Sequence, residues 1–228
     1  MIHVENVTKT YQAGTTEVRA LRGVSLDIED GDFVSIAGPS GSGKTTLLNL
    51  IGCLDRCTSG EILIDGEPMS GKERRELALF RRRKLGFVFQ SFNLIPVLKA
   101  HENVSFALSL LGVPAQELRE RTMAILDEVG LGGLEERYPR ELSGGQQQRV
   151  AIARALVKEP SIVMADEPTA NLDSATGEEI LRIMQALNEK HGTTFIFSTH
   201  DRMVMDHAKR LVRLRDGTVQ SDERRSAS

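Results

Sequence analysis

"DFVSIAGPSGSGKTTLLNLIGCL", residues 32–54, decides the fold. Its first part, "DFVSIAG" (32–38), is an apolar run with no polar alternation, the pattern of a strand buried on both faces. Its last part, "TTLLNLIGCL" (45–54), reads as a helix. Between them, "GPSGSGKT" (38–45) fits the spacing G-x-x-x-x-G-K-[ST] in the strand-then-helix setting where it makes a phosphate cradle. Gly41 and Gly43 permit backbone angles closed to other residues. The loop Gly38, Pro39, Ser40, Gly41, Ser42 and Gly43 can then turn its N–H groups inward around phosphate oxygens, aided by the helix N-terminus. Lys44 supplies a point charge to the β- and γ-phosphates, Thr45 a hydroxyl to Mg²⁺, and Thr46 reaches the α-phosphate.

Outward from this loop, the same alternation recurs. "SIVMADEP" (161–168) and "TTFIFSTH" (193–200) are further buried strands. Between them, "SATGEEILRIMQALNEKHG" (174–192) has a Ser start, early acids and a Gly stop, so it reads as a helix. Strands separated by helices predict an α/β fold with a mostly parallel core sheet covered on both faces. The segments "IHVENVTKTY" and "EVRALRGVSLDIED" alternate more, with a turn near Ala13–Gly14, and predict an antiparallel N-terminal β region. From about 91 to 141 the chain reads as mainly helical, with Pro114 at a helix start and Gly130 at a stop. The organisation expected is a single domain over 1–228. It divides into a core (1–90 and 146–220), a helical subdomain (91–145) and a flexible tail (221–228). The charged stretch "KERRELALFRRRK" (72–84) reads as a solvated helix face, with a docking surface for an acidic or membrane-bound partner as the alternative.

A phosphate cradle of this kind needs a second anchor for the metal, and "IVMADE" (162–167) provides one. Asp166, at the strand end, is placed to hold Mg²⁺ through water. Glu167, one residue on, can point at the γ-phosphate and orient or polarise the attacking water. The two motifs in this order make a P-loop NTPase.

Composition bounds the rest. With 228 residues, 27% charged and a net charge of −3, the chain suits a globular protein with a sizeable core. That balance gives no global pull toward nucleic acid, and none is expected as a partner. No signal peptide is read at the N-terminus, and no apolar run approaches the roughly 18 residues of a membrane span. The expected location is therefore cytoplasmic, with membrane attachment only through a partner. The two cysteines, Cys53 and Cys57, are too few for a metal cluster and read as packing or surface thiols.

"LSGGQQQR" (142–149) is unlike the other loops: a Ser and two adjacent glycines at the start of the helical "VAIARALVKE". The guanine-reading N-K-x-D motif of GTPases is absent. This stretch resembles the signature sequence of ATP-binding cassette (ABC) proteins, and the rest of their pattern follows in order over residues 1 to about 220. The resemblance implies that Tyr11 stacks on adenine and that Gln90, in "GFVFQSFN", contacts Mg²⁺ and the attacking water. It implies that Asp173, in "NLD" (171–173), crosses to a partner subunit, and that His200, in "STHD", contacts the γ-phosphate. It further implies an ATP-bound head-to-tail homodimer. In that dimer Ser143, Gly144, Gly145 and Gln146 of one subunit cap the γ-phosphate held by the other's P-loop. The N-cap reading of Ser143 stands beside this one, because a cap and an anion site use the same free N–H groups.

Within the family, "LRGVSLDIEDGDFVSIAGPSGSGKTTLLNLIGCLDRCTSGEILIDG" and "ELSGGQQQRVAIARALVKEPSIVMADEPTANLDSATGEEI" look like the LolD, MacB and FtsE group. That implies an ATPase on the cytoplasmic face of the inner membrane, working with a separate permease that has a large extracytoplasmic domain. Export, lipoprotein release and mechanotransmission all remain open. An importer ATPase, an FtsE-like cell-division ATPase and a soluble non-transport ABC protein are the alternatives.

Overall fold

The computed structural model describes residues 1–14 and 16–225. In chain order the strands and helices are β1 (Ile2–Ala13), β2 (Thr16–Ile28), β3 (Phe33–Ala37), α1 (Lys44–Ile51), β4 (Ser59–Ile64), β5 (Glu67–Pro68), α2 (Arg74–Lys84), β6 (Leu85–Phe89) and α3 (Ala100–Ser109). There follow α4 (Ala115–Glu128), a 3-10 turn (Pro139–Glu141), α5 (Gly144–Leu156), β7 (Ile162–Asp166), α6 (Ser174–His191), β8 (Thr194–Thr199), α7 (Arg202–His207), β9 (Arg210–Arg215) and β10 (Thr218–Arg224). The chain divides into two compact units, Met1–Arg81 with Thr194–Ser228, and Arg82–Thr193.

The first unit holds the predicted antiparallel region: β1 pairs with both β2 and β4, and β4 with β5. Its other strands carry the P-loop. β3 pairs in parallel with β8 on one side and β9 on the other. Every residue of β3 and β8 is buried, as an unbroken apolar run requires. The Phe33 ring packs tilted against both Phe195 and Phe197, with the Phe33–Phe197 centroids 4.6 Å apart. α1 ends at Ile51, short of the expected Leu54, because Gly52 caps it and Cys53 turns the chain with a left-handed φ of 53°.

The tail differs from expectation. Ser221–Arg224 extend β10, antiparallel to β9, rather than fraying. The physical reason is an ion pair: the Arg210 guanidinium donates to both Asp222 carboxylate oxygens, at 2.8 and 2.6 Å. Residues 226–228 lie outside the described residues.

The second unit contains β6 and β7, paired in parallel, with α3 to α6. It is broader than the 91–145 subdomain expected, since it also takes in β6, β7, α5 and α6. The buried faces of α5 and α6 supply Val150, Ile152, Ile180 and Leu181 to its core. Val129 ends α4, and Gly130 follows with a φ of 71°, the stop read from sequence.

Candidate functional site

In the first unit, β3 delivers the chain to the P-loop and α1 leaves it. Gly43 is the N-cap of α1 and has φ 101°, open to glycine alone. A Cβ there would also lie 2.6 Å from the Ala20 carbonyl oxygen. No side-chain hydrogen bond caps α1 at Gly43, and a glycine-capped helix N-terminus after a strand is the setting of an anion site. Lys44 is 8% exposed, and its Nζ donates to the carbonyls of Gly38 at 2.7 Å and Pro39 at 3.0 Å. The ammonium is thereby held under the loop. The Gly217 N–H, in the β9–β10 turn, donates to the Ser42 carbonyl at 3.1 Å and braces the loop from behind. Ser40, Gly41 and Thr45 are exposed.

His200 follows β8 and is exposed. It lines an open cavity of about 490 Å³ together with Gly38 and Pro39. Tyr11, on β1, is 38% exposed. Its hydroxyl donates to Asp55 at 2.9 Å, and Lys9 Nζ sits 4.8 Å from the ring centroid. Burial and the Asp55 carboxylate both raise the Tyr11 pKa, while Thr46 of α1 bonds the same hydroxyl and works the other way. The Asp55 carboxyl titrates below its usual range: burial opposes this, but hydrogen bonds from Lys9, the Arg56 N–H and Tyr11 outweigh it.

In the second unit, β7 ends at Asp166, and Glu167 follows it with a left-handed φ of 47°. Glu167 also precedes Pro168, a position that sterics push toward extended angles. Such strain persists only where the surrounding structure holds the residue in place. Ser143 caps α5 reciprocally: Gln146 N–H donates to its Oγ at 3.3 Å, and Ser143 N–H donates to Gln146 Oε1 at 2.9 Å. The capping reading of Ser143 is therefore present in the fold. Gly145 is buried, and a Cβ there would lie 2.5 Å from Thr176 Cγ2. Close packing on α6 alone thus requires a glycine at this position. Asp173 caps α6, accepting from Thr176 N–H at 3.0 Å and Thr176 Oγ1 at 2.6 Å. Those two bonds, side chain first, hold its carboxyl below the usual range.

Side chains not singled out in the sequence join these segments. Asn171 Nδ2 donates to the Gln90 carbonyl at 3.0 Å. Gln148, on α5, donates to the Pro168 carbonyl at 2.5 Å. Arg154, further along α5, donates to the carbonyls of Phe92 and Asn93. The signal for Gln148 and Arg154 was polarity on the inward stripe of α5, legible only once the helix phase is known. Arg149 makes an ion pair with Glu179 at 2.6 Å.

The donor set suits the ion implied. Thr45, Gln90 and Asp166 offer oxygen, the ligand type of Mg²⁺. Among the described residues, no cluster of three His, Cys, Asp or Glu could hold a metal by itself. Both cysteines are free thiols.

The family model described as "ABC transporter" matches residues 21–170. The chain belongs to the ABC transporter family. This cassette is 52% identical, over 97% of its length, to the macrolide export ATP-binding/permease protein MacB of Syntrophobacter fumaroxidans, and spans 31% of that protein. It is 50% identical to an uncharacterized ABC transporter ATP-binding protein of Thermotoga maritima, covering 99% of this chain and 96% of that one. Among solved structures, the dimeric post-hydrolysis state of the ATP-binding cassette MJ0796 bound to ADP and Pi superposes with a TM-score of 0.90. That match has 47% identity and covers 100% of both chains. MJ0796 is a protein of Methanocaldococcus jannaschii. The ABC cassette is an ATPase that takes ATP with Mg²⁺. No helix among the described residues is long and apolar enough to cross a membrane.

Proposed function

We propose that this cassette powers a permease of the MacB and LolD type, carried on a separate chain, from the cytoplasmic face of the inner membrane. The observation that carries this reading is identity of about half along nearly the whole chain to two kinds of relative. One is the ATP-binding part of MacB proteins, and the other is ATP-binding proteins that are matched over 95% or more of their own length. The permease's large extracytoplasmic domain belongs to the same reading, as does work by export, lipoprotein release or mechanotransmission.

The site residues take these roles. Gly38 to Gly43 and Lys44 hold the phosphates, Thr46 bonds the α-phosphate, and Tyr11 stacks on adenine. Thr45, Gln90 and, through water, Asp166 hold Mg²⁺, which neutralises phosphate charge when bound. Glu167 orients the attacking water, and His200 and Gln90 position it against the γ-phosphate. Ser143, Gly144, Gly145, Gln146 and Asp173 act in trans on ATP held by the partner subunit. ATP thus closes a two-fold dimer, and hydrolysis removes the phosphate that bridges it.

The test uses the Glu167→Gln chain with ATP and Mg²⁺. Light scattering should show a stable dimer that ADP does not support, and turnover should be lost. A monomer under these conditions, or undiminished turnover, overturns the role assignment. The same variant, tagged in native membranes, should co-purify with a permease that has few membrane helices and a large external domain. Recovery of a many-helix permease instead would replace the MacB and LolD reading with an importer or another exporter.

A further inference from the structure

The signature segment and the NLD loop are separate in sequence, yet one side chain touches both. Thr176 lies in the first turn of α6 and is half-buried. Its hydroxyl donates to Asp173 Oδ2 at 2.6 Å, and its N–H to Asp173 Oδ1 at 3.0 Å. Its methyl fills the notch over Gly145, where a Cβ would lie 2.5 Å from Cγ2. Beside it, a Cβ on Gly144 would lie 3.3 Å from Leu172 Cδ2, so the neighbouring pair of residues is in contact as well.

We propose that Thr176 is a positioning residue that couples the start of α5 to the Asp173 carboxylate, so that the two trans-acting segments present themselves to the partner subunit as one body. The proposal rests on the trans-acting reading given above. A β-branched side chain is stiff at χ1, so its hydroxyl and methyl cannot be redirected independently. A displacement of the α5 start, felt by the methyl, must be matched by the hydroxyl and by the carboxylate it holds. Capping alone does not explain the arrangement. Asp173 is the cap, a serine at 176 would donate to it as well as a threonine does, and the cap needs neither the methyl nor a glycine opposite it. Releasing the hydroxyl leaves Oδ2 without that donor, while Oδ1 still accepts from the Thr176 N–H, so the carboxylate is held at one oxygen instead of two.

The experiment compares Thr176→Val and Thr176→Ser, each in the full chain and each with Glu167→Gln. Val keeps the branched shape and removes the hydroxyl; Ser does the reverse. Three quantities are read: ATP affinity of the monomer, the ATP-dependent dimerisation constant by analytical ultracentrifugation, and Tm. ATP affinity of the monomer should stay within about twofold of the parent for both. Dimerisation should weaken roughly tenfold or more in Val, the scale of one lost bond to a charged group. It should weaken by a smaller but measurable factor in Ser. If Val proves unfolded, the folded Ser variant decides: a weaker dimer supports coupling through the methyl, and a parental dimerisation constant overturns it. Parental dimerisation in a folded Val variant overturns the proposal outright. Failure of the Glu167→Gln parent itself to dimerise would instead overturn the trans-acting reading, and is visible before any Thr176 variant is made.

Discussion

Arg154 of α5 holds the backbone at Phe92: Nη2 donates to the Phe92 carbonyl at 2.7 Å, and Nη1 to the Asn93 carbonyl at 2.5 Å. Both loop residues have left-handed φ, 58° and 50°, which non-glycine residues adopt at a cost. The guanidinium fork compensates that cost with two charge-assisted bonds, two and three residues after Gln90. Arg154→Met keeps the apolar stem and removes both donors. Urea unfolding should show a loss of about 2–4 kcal/mol, below the roughly 3–6 that two bonds from a charged donor sum to, because the bond to Asn93 is exposed. Amide exchange should speed up first at residues 91–94. Unchanged exchange there would mean that the loop holds its shape without Arg154.

Gly43→Ala should disable the cradle while leaving most of the fold in place. The substitution puts a Cβ 2.6 Å from the Ala20 carbonyl oxygen at a φ of 101°. Strain plus contact should cost about 2 kcal/mol or more. The cost falls on the turn that aims the α1 N–H groups, so calorimetry should find ATP binding lost with a smaller change in Tm. Lys44→Ala is the complementary variant. It removes a charge held by two carbonyls without altering the backbone, and should weaken ATP binding by roughly 30-fold or more.

The two cysteines should differ in reactivity. Cys53 is 3% exposed, and burial pushes its thiol pKa up to about 11, with Arg81 and Lys72 pulling weakly the other way. At about pH 8 its thiolate fraction is on the order of one in a thousand. Cys57 is half-buried, with a pKa also raised, by burial first. Iodoacetamide on the native protein should therefore label Cys57 before Cys53, and only unfolding should bring them level. Mass spectrometry of tryptic peptides reads this directly; equal native rates would contradict the burial of Cys53.

Much of this was legible in the sequence because it is written locally. The P-loop needs glycines at fixed offsets, and buried parallel strands need unbroken apolar runs, so 32–54, 161–168 and 193–200 announced themselves. The short β4 and β5 did not, because their exposed residues break the alternation. The polarity of the tail suggests fraying, whereas Arg210 holds β10 through Asp222 across the β9–β10 hairpin, a pairing that polarity alone does not encode. The family resemblance assigns the glycines of the signature segment to the γ-phosphate of the partner's ATP. The fold adds that Gly145 makes room for Thr176, a contact between residues about thirty apart that no local pattern encodes.

The Arg210 ion pair gives a pH prediction with a definite sign. Arg210 Nη2 lies 2.6 Å from Asp222 Oδ2, Nη1 lies 3.1 Å from Asp32, and the Arg210 side chain is 9% exposed. The hydrogen bond from Arg210 is the main cause holding the Asp222 carboxyl below its ordinary 3.8, against the opposing effect of burial. A group whose folded pKa is depressed binds fewer protons in the folded state than in the unfolded one. Its contribution to stability is therefore complete above the unfolded value and disappears as pH falls through the folded value. Asp222→Asn should lower Tm near pH 6, and the gap from the parent should close as pH falls through and below the ordinary carboxylate range. Arg210→Met should lower Tm as well, and should shift the Asp222 carboxyl resonance midpoint upward in an NMR titration. A gap between parent and Asp222→Asn that stays constant across the acid range would show that the β9–β10 pairing is held by the ladder alone.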